Sequence, residues 1–199
     1  MITLCMDTSH NLLVLALLED NRLLGGTQMV CPKKQSEEIF PQLIALMEKT
    51  GHKPEEIGAV AVTEGPGSYT GVRIAMTVAK VLAGTRDIPL YTVGTLQLYA
   101  GLDDCLVLLD ARGGRAYTAC CRSGSYVTQP QAVPCEEIRA SLKDGQTVYG
   151  DGHLIGLEDC VPDLTENFLK LKPYWKKAEN VHMVMPEYLK SSDAYLVKK

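Results

Sequence analysis

Two aspartates at the ends of apolar segments are the first residues whose placement could support chemistry. Asp7 closes the first apolar segment of the chain, and Asp110 closes a later one. Two carboxylates at equivalent strand ends can hold a magnesium–nucleotide complex, provided that glycines in the following hairpins let backbone amides reach the phosphates. Gly113 and Gly114 follow Asp110, but the four residues after Asp7 include no glycine. The required combination of an aspartate and a following glycine hairpin is thus present at Asp110 but not at Asp7. A structural role for the two aspartates is therefore an equal alternative.

A glycine-rich segment between an apolar strand and a helix is the next candidate. It consists of Gly65, Pro66, Gly67, Ser68, Tyr69, Thr70 and Gly71. Backbone amides at such a junction, together with the helix dipole, can bind an anion. The spacing GxGxxxG differs from the dinucleotide fingerprint, and Val72 and Arg73 stand where a P-loop needs Lys and Ser or Thr. An anion site and a tight turn that lets the helix approach the sheet are equally good interpretations.

The cysteines and histidines form no metal-binding pattern. Seven cysteines include no CxxC pair, and the histidines include no HxxxH pair. Zinc sites use paired ligands at short spacing, so we expect structural cysteines in a reducing compartment and no sequence-local metal site. No serine lies in a GxSxG elbow, so no nucleophile is indicated. The sequence therefore predicts no catalytic residue.

The composition is that of an ordinary globular protein of 199 residues. Apolar residues make up 46% of the sequence, and 20 basic against 24 acidic residues give a net charge of −4. A strongly basic nucleic-acid-binding face is therefore not indicated. Apolar runs are far shorter than the roughly 20 residues of a membrane helix, and no basic segment opens the chain as in a secretory signal. We expect a cytoplasmic protein.

The elements that would position these residues alternate between strands and helices. Three strands are predicted at residues 2–6, 12–18 and 23–30. Such short connections require antiparallel neighbours, so the chain opens as a meander. A helix over residues 36–50 follows, with Ser36 as its N-cap and Gly51 as its stop.

The next segments predict a βαβ unit and then a second, similar half. Strand 59–63, helix 72–83 and strand 90–93 have the spacing of a right-handed crossover with parallel strands. Around Asp110 the order of strand, aspartate, turn and strand repeats the opening pattern, which indicates a weak internal repeat. We therefore expect two lobes, an N-terminal lobe over residues 1–102 and a smaller, abbreviated C-terminal lobe over residues 103–199.

The helix over residues 72–83 is apolar nearly all the way round. Burial against the helix over residues 36–50 would explain part of this, but surplus apolar surface favours an interface with a second protein. The predicted partner-binding residues of the helix pair are Ile39, Leu43, Met47, Ile74, Ala75, Val78, Ala79 and Leu82. On this hypothesis, Ala79→Glu abolishes partner binding and leaves the chain folded.

Several motifs along the chain closely resemble the TsaB (YeaZ) family. They are Met1 with Cys5-Met6-Asp7-Thr8-Ser9, Thr63-Glu64 followed by Gly65 to Arg73, Leu109-Asp110-Ala111-Arg112, Val148 to Gly152, and Pro186 to Leu189. The GPGSYTGVR run is specific to that family. The resemblance implies an α/β fold of the actin-like (ASKHA, RNase H-like) class, with two lobes whose mixed sheets are flanked by helices. It also implies a role in making N6-threonylcarbamoyladenosine on ANN-decoding tRNAs.

The resemblance further implies a scaffold with partners and without catalysis. The family resembles a non-catalytic relative of the catalytic subunit TsaD. In TsaD, the resemblance implies two metal-binding histidines on the first helix. The matching stretch here, residues 34–38, contains neither histidine. Expected partners are a TsaD-like subunit bound through the two helices, the small ATPase TsaE, tRNA through the complex, and a second copy when the chain is alone.

No cofactor of its own is expected, although ATP or ADP could bind at a shared interface. Candidate nucleotide, anion or interface residues are Asp7, Thr8, Ser9, Gly65, Gly67, Ser68, Tyr69, Thr70, Gly71, Arg73, Asp110 and Arg112. The alternative function is a small nucleotide-dependent phosphotransferase or ATPase that uses Asp7, Asp110 and the glycine-rich loop. A metallopeptidase is the third alternative, disfavoured because no His or Cys cluster offers three ligands.

Overall fold

The computed structural model describes residues 1–189 and contains two β-sheets with helices packed around them. The strands are β1 (Ile2–Asp7), β2 (Leu12–Glu19), β3 (Arg22–Val30), β4 (Ile57–Thr63), β5 (Leu90–Val93), β6 (Cys105–Asp110), β7 (Arg115–Arg122), β8 (Ser125–Tyr126), β9 (Gln131–Pro134), β10 (Val148–Gly150) and β11 (Lys176–Lys177). The α-helices are α1 (Gln35–Thr50), α2 (Tyr69–Arg86), α3 (Thr95–Ala100), α4 (Cys135–Ser141) and α5 (Leu164–Lys170).

The first sheet has the strand order β11-β5-β4-β1-β2-β3. β1, β2 and β3 are antiparallel neighbours, which confirms the predicted meander. β4 pairs in parallel with both β1 and β5, and α2 connects β4 to β5. The predicted βαβ unit is therefore confirmed, and its crossover helix follows the glycine-rich loop.

The two faces of this sheet are buried by different elements because alternate strand residues point to opposite sides. Leu4 and Met6 of β1 pack with α1 and α2 on one face. Cys5 packs on the other face with α3, α5 and the inner side of the second sheet. The core is thus layered, and the helix pair α1–α2 forms an outer layer.

The helix ends differ in part from the predicted ones. α1 begins at Gln35 with Lys34 at its N-cap, so the prediction that Ser36 caps this helix is wrong, whereas Gly51 ends it in the left-handed region with φ of 72°. α2 extends three residues beyond the predicted range at each end, and the Ser68 hydroxyl accepts a hydrogen bond from the Gly71 amide. No helix within residues 1–189 combines the length and the apolar character needed to cross a membrane.

The second sheet has the order β10-β6-β7-β8, with β9 on the side of β7. It begins at Cys105, close to the predicted lobe boundary at residue 103, which stays a prediction. The chain then returns to the first sheet, where α5 packs on β2 and β3 and β11 adds an edge strand beside β5.

Residues 178–188, which we call the C-terminal strap, cross α2 after β11. The Ala178 amide donates to the Leu90 carbonyl, and the Lys80 ammonium donates to the carbonyls of His182 and Val184, each at 2.9 Å. Further along, the Glu187 amide donates to the Glu64 carbonyl at the start of the glycine-rich loop. The strap therefore covers one flank of α2 and leaves the flank beside α1 uncovered.

Candidate functional site

The predicted partner-binding residues divide into two groups by burial. Ile39, Met47, Ala75 and Ala79 are buried and pack into the core between the helix pair and the first sheet. They stabilise the chain's own fold, because alanines at a four-residue spacing let α2 lie close to the sheet. These four side chains therefore have no surface to offer a partner.

The other four predicted residues lie at the outer edge of the same cluster. Leu43, Ile74, Val78 and Leu82 are partly buried and pack against the helix-pair core. Beside them stand three exposed apolar residues that sequence reasoning did not single out, namely Phe40, Ile44 and Val81, at 55%, 58% and 58% exposure. We call these seven residues the helix-pair face. The signal that could have found Phe40 and Ile44 is their spacing of four residues on one side of α1.

The burial of Ala79 changes what a substitution there would do. Ala79 has no exposed surface, so a glutamate at this position would place a charge inside the chain's own core. An unpaired buried charge destabilises a fold strongly. The expectation that Ala79→Glu leaves the chain folded is therefore wrong, and the exposed residues of the helix-pair face are the proper positions for a probe.

The glycine-rich loop packs directly on the turn after β1. A Cβ on Gly67 would collide with the Ser9 carbonyl oxygen, and a Cβ on Gly71 with that of Thr8. The Ser68 amide donates to the Ser9 carbonyl at 2.7 Å, and the Thr8 hydroxyl donates to the Gly71 carbonyl at 2.6 Å. These glycines serve close backbone approach, which favours the interpretation of the loop as a tight turn.

The far side of the loop is covered by the C-terminal strap. A Cβ on Gly65 would meet the backbone of this strap. Tyr188 stacks on Tyr69 with ring centroids 5.1 Å apart, and its hydroxyl accepts a hydrogen bond from Arg73 Nε at 2.7 Å. Thr70, in the first turn of α2, is exposed. The loop is thus held between the β1 turn and the strap.

Asp7 is fully buried at the end of β1. Its Oδ1 accepts hydrogen bonds from the Ser9 amide at 3.0 Å and the Thr63 hydroxyl at 2.5 Å, while its Oδ2 has no hydrogen-bond partner within residues 1–189. Burial raises the pKa of the Asp7 carboxyl, and the hydrogen bonds from Ser9 and Thr63 oppose this only in part. Burial therefore disfavours the charged form of this carboxyl, which is the form that would bind a cation.

Asp7→Asn should therefore stabilise the fold at neutral pH. The amide keeps an acceptor for Ser9 and Thr63 and removes the cost of a buried charge. Because the folded-state pKa of Asp7 is raised, its stabilising contribution is complete below the unfolded pKa of about 4 and is lost as the pH rises through the folded pKa. We expect the variant to be more stable than the wild type at pH 7, and the difference in unfolding free energy to close as the pH falls towards 4.

Urea unfolding of both chains at several pH values measures this gap. Asp110→Asn is the matched control, since this exposed carboxylate ends the strand that matches β1 in the second sheet. Its effect on the free energy of unfolding should be small. A gap for Asp7→Asn that is equal at pH 4 and pH 7, or a less stable variant at pH 7, would contradict the account of Asp7.

Asp110 lies in a different environment from Asp7. It is exposed, and its Oδ1 accepts a hydrogen bond from the amide of Arg112, also exposed, at 2.6 Å. Its own amide donates to Asp151 Oδ2, which also lies 2.9 Å from His10 Nε2. Burial opposes ionisation of Asp151, but the contact with His10 and the Asp110 amide outweigh it and lower its pKa. His10, which no sequence motif singles out, therefore joins the two lobes through Asp151.

Residues 34–38, where the resemblance implies a two-histidine motif in the sister family, do not fit a metal ion in this chain. Gln35 is buried, and its amide donates to the His10 carbonyl at 2.7 Å. Ser36 and Glu37 are exposed, and no imidazole is present in the stretch. The stretch therefore offers no imidazole to a metal ion.

Comparison with known proteins gives one family and several relatives. The family model described as "TsaD: tRNA N6-adenosine threonylcarbamoyltransferase" matches residues 28–133. A protein of Bacillus subtilis (strain 168), named tRNA threonylcarbamoyladenosine biosynthesis protein TsaB, is 29% identical over 221 residues, covering 98% of this chain and 96% of the relative. The protein of the same name from Escherichia coli (strain K12) is 32% identical over 123 residues, covering 58% of this chain and 53% of the relative.

Two solved structures from Pseudomonas aeruginosa share the fold. One is described as YeaZ and has a TM-score of 0.74 at 23% identity, covering 94% of this chain and 99% of the other. The second, described as similar to peptidase YEAZ, has a TM-score of 0.77 at 22% identity, covering 95% and 99%. The predicted two-lobed, actin-like α/β fold is confirmed. Since the family model spans more than half of the sequence and the B. subtilis relative aligns along nearly all of it, the chain belongs to the TsaB (YeaZ) family.

Proposed function

We propose that this chain is a non-catalytic scaffold subunit of the machinery that makes N6-threonylcarbamoyladenosine on tRNA. In this proposal the helix-pair face binds and activates a TsaD-like catalytic subunit, and the resulting complex recruits a TsaE-like ATPase. The names of the B. subtilis and E. coli relatives support the pathway, and the match to the TsaD family model supports a structurally similar partner.

The observation that carries this proposal is the helix-pair face itself. Phe40, Ile44 and Val81 are each more than half exposed, and they adjoin partly buried apolar residues of the same two helices. The C-terminal strap covers the other flank of α2, whereas the helix-pair face lies on the side shared with α1. A contiguous apolar patch of this kind is typical of a protein interface.

The environment of the glycine-rich loop and Asp7 supports a role without catalysis. The Ser68 amide of the glycine-rich loop already donates to Ser9, and Asp7 is buried with a raised pKa. The Ser68 amide is therefore not available to a nucleotide phosphate, and burial disfavours the charged Asp7 that would hold the metal ion of the nucleotide. We therefore place any ATP or ADP at an interface with a partner, and most phosphate contacts to tRNA on the partners, since this chain carries a net charge of −4.

The test is to mix the purified chain with the TsaD-like subunit of the same genome and to measure the mass of the product by light scattering. We expect a stable complex. In a reaction that also contains the TsaE-like ATPase, ATP and a threonylcarbamoyl donor, the modified nucleoside should form on an ANN-decoding tRNA only when both subunits are present. The chain alone, titrated with Mg–ATP in a calorimeter, should give no heat of binding. Failure to form a complex would overturn the scaffold proposal, and nucleotide turnover by the chain alone would favour the phosphotransferase alternative.

A homodimer of the free chain would use the same surface. Because an isologous dimer pairs identical patches, we expect the helix-pair face to be self-complementary when the partner is absent. Adding the TsaD-like subunit should then dissociate the homodimer, which the same light-scattering measurement would detect. A dimer that persists in the presence of the partner would assign the two contacts to different surfaces.

A further inference from the structure

A loop in the second lobe brings three potential metal ligands together outside the site described above. Asp151, His153 and Asp159 each place one ligand atom within 4.8 Å of the other two. Within residues 1–189 no other trio of His, Cys, Asp and Glu side chains comes as close. The residues follow β10, and their spacing D-x-H-x5-D is too irregular to be recognised as a metal motif from sequence.

The backbone of this loop is fixed before any ion binds. Gly150 and Cys160 exchange two hydrogen bonds that close the loop at its base, with N···O distances of 2.7 and 3.1 Å. Inside it, the Leu157 amide donates to the Gly152 carbonyl, and a Cβ on Gly152 would collide with the Glu158 carbonyl. The three side chains therefore extend from a closed loop, and binding would cost little ordering of the chain.

Two of the ligands already form a contact that an ion could replace. His153 Nδ1 lies 2.7 Å and 3.0 Å from the two carboxylate oxygens of Asp159, whose Oδ1 also accepts from the His153 amide at 2.9 Å. In this arrangement a proton lies between the imidazole and the carboxylate. A divalent cation bound by both groups would take the place of that proton, which would pass to the solvent.

The third ligand is held by partners of its own. Asp151 is only 8% exposed, and its carboxylate is oriented by His10 from the first lobe and by the Asp110 amide. Protein groups that fix a ligating carboxylate in this way are typical of metal sites, where they raise affinity. The His52–Glu56 pair on the first lobe has no third ligand within residues 1–189, so it provides an internal comparison.

We propose that this loop binds one zinc-class divalent transition ion through Asp151, His153 and Asp159, with water completing a tetrahedral coordination. An imidazole together with two carboxylates suits a borderline ion such as Zn²⁺ better than Mg²⁺ or Ca²⁺, which prefer all-oxygen sites. Because His10 binds Asp151, the ion would also stabilise the contact between the two lobes. The site is separate from the helix-pair face, so it does not depend on the scaffold function.

Calorimetric titration of the full chain with Zn²⁺ tests the site. We expect one ion per chain, and affinity at least about tenfold lower in His153→Gln and in Asp159→Asn, since each removes one of three ligands. His52→Gln is the matched control and should leave binding unchanged. The substituted side chains are exposed, so the circular dichroism of all variants should match that of the wild type.

Exposed thiols are the competing explanation for zinc binding, because Cys160 adjoins Asp159 and is exposed. Co²⁺ distinguishes the two, since thiolate ligands give an intense near-ultraviolet charge-transfer band that nitrogen and oxygen ligands do not. We expect visible bands of tetrahedral Co²⁺ without that band, and unchanged affinity in Cys160→Ser. Absence of one-to-one binding, equal affinity in His153→Gln and the wild type, or loss of binding in Cys160→Ser would each overturn the proposal.

Discussion

The double variant Ile44→Glu, Val81→Glu is expected to bind the TsaD-like subunit at least about 100-fold more weakly than the wild type. Both side chains are 58% exposed, one on each helix of the helix-pair face. Association would bury them, and two carboxylates taken into an apolar contact would lose hydration without gaining a partner. A 100-fold loss corresponds to about 2.7 kcal/mol, which is the size of the effect at an interface hot spot.

The matched control for this variant is Val127→Glu. Val127 is also 58% exposed but lies after β8 in the second lobe, away from the helix pair. Its substitution should leave both the fold and the association unchanged. Affinity and thermal unfolding measured together separate a lost interface from a lost fold. Equal affinity of the double variant and the wild type would remove the helix-pair face from the proposal.

Gly67→Ala is expected to destabilise the fold by about 2–3 kcal/mol. The added methyl group would collide with the Ser9 carbonyl oxygen, which belongs to the backbone of a buried turn and cannot move aside as a side chain would. Relief of this clash would separate the glycine-rich loop from the end of β1. Chemical denaturation measures this change. An unchanged midpoint would show that the loop has space beside Ser9 for a methyl group, and hence for part of a ligand.

Gly84→Ala is expected to change stability in the opposite direction. Gly84 lies near the C-terminal end of α2, where the added methyl group would meet the exposed His182 ring at 3.2 Å. That ring can move, and alanine favours a helix over glycine by about 1 kcal/mol. We expect a slightly more stable chain. Together the two substitutions distinguish a steric requirement for glycine from a general effect of adding a methyl group.

The local elements of this fold could be predicted because their causes are local. The opening meander follows from three apolar segments joined by connections too short for a crossover, and Gly51 ends α1 because glycine adopts φ of 72° without strain. The start of α1 could not be placed in this way. Ser36 has the better capping side chain, but α1 already begins at Gln35, whose side-chain amide donates a tertiary hydrogen bond to the His10 carbonyl.

The inward and outward sides of α2 were not predictable because the helix is apolar on nearly every side. Ala79 faces the core and Val81 faces solvent, although valine is the more apolar of the two. The sheet selects the small residue because the helix must approach it closely. The few polar residues of α2 include Arg73 and Lys80, and both of these bind the C-terminal strap. That contact joins residues more than 100 positions apart and leaves no periodic pattern.

The remaining site residues could not be predicted because their contacts also join distant parts of the sequence. His10 reaches Asp151 across 141 positions, and Asp159 reaches His153 across a closed loop whose geometry depends on the pairing of Gly150 with Cys160. Such clusters are set by tertiary contacts, so a search for ligands at short spacing does not find them. The aspartates at the strand ends were found from sequence, but their unlike environments were not.

The return of the chain to its first sheet also bears on how the protein is made. During synthesis all other strands of both sheets emerge from the ribosome before β11 and the C-terminal strap. These last two segments then complete the edge of the first sheet and cover one flank of α2. Until then, the nascent first lobe has an unpaired edge at β5 and an uncovered flank of α2. Such surfaces attract chaperones or other chains, so premature termination in this last stretch would release an aggregation-prone product.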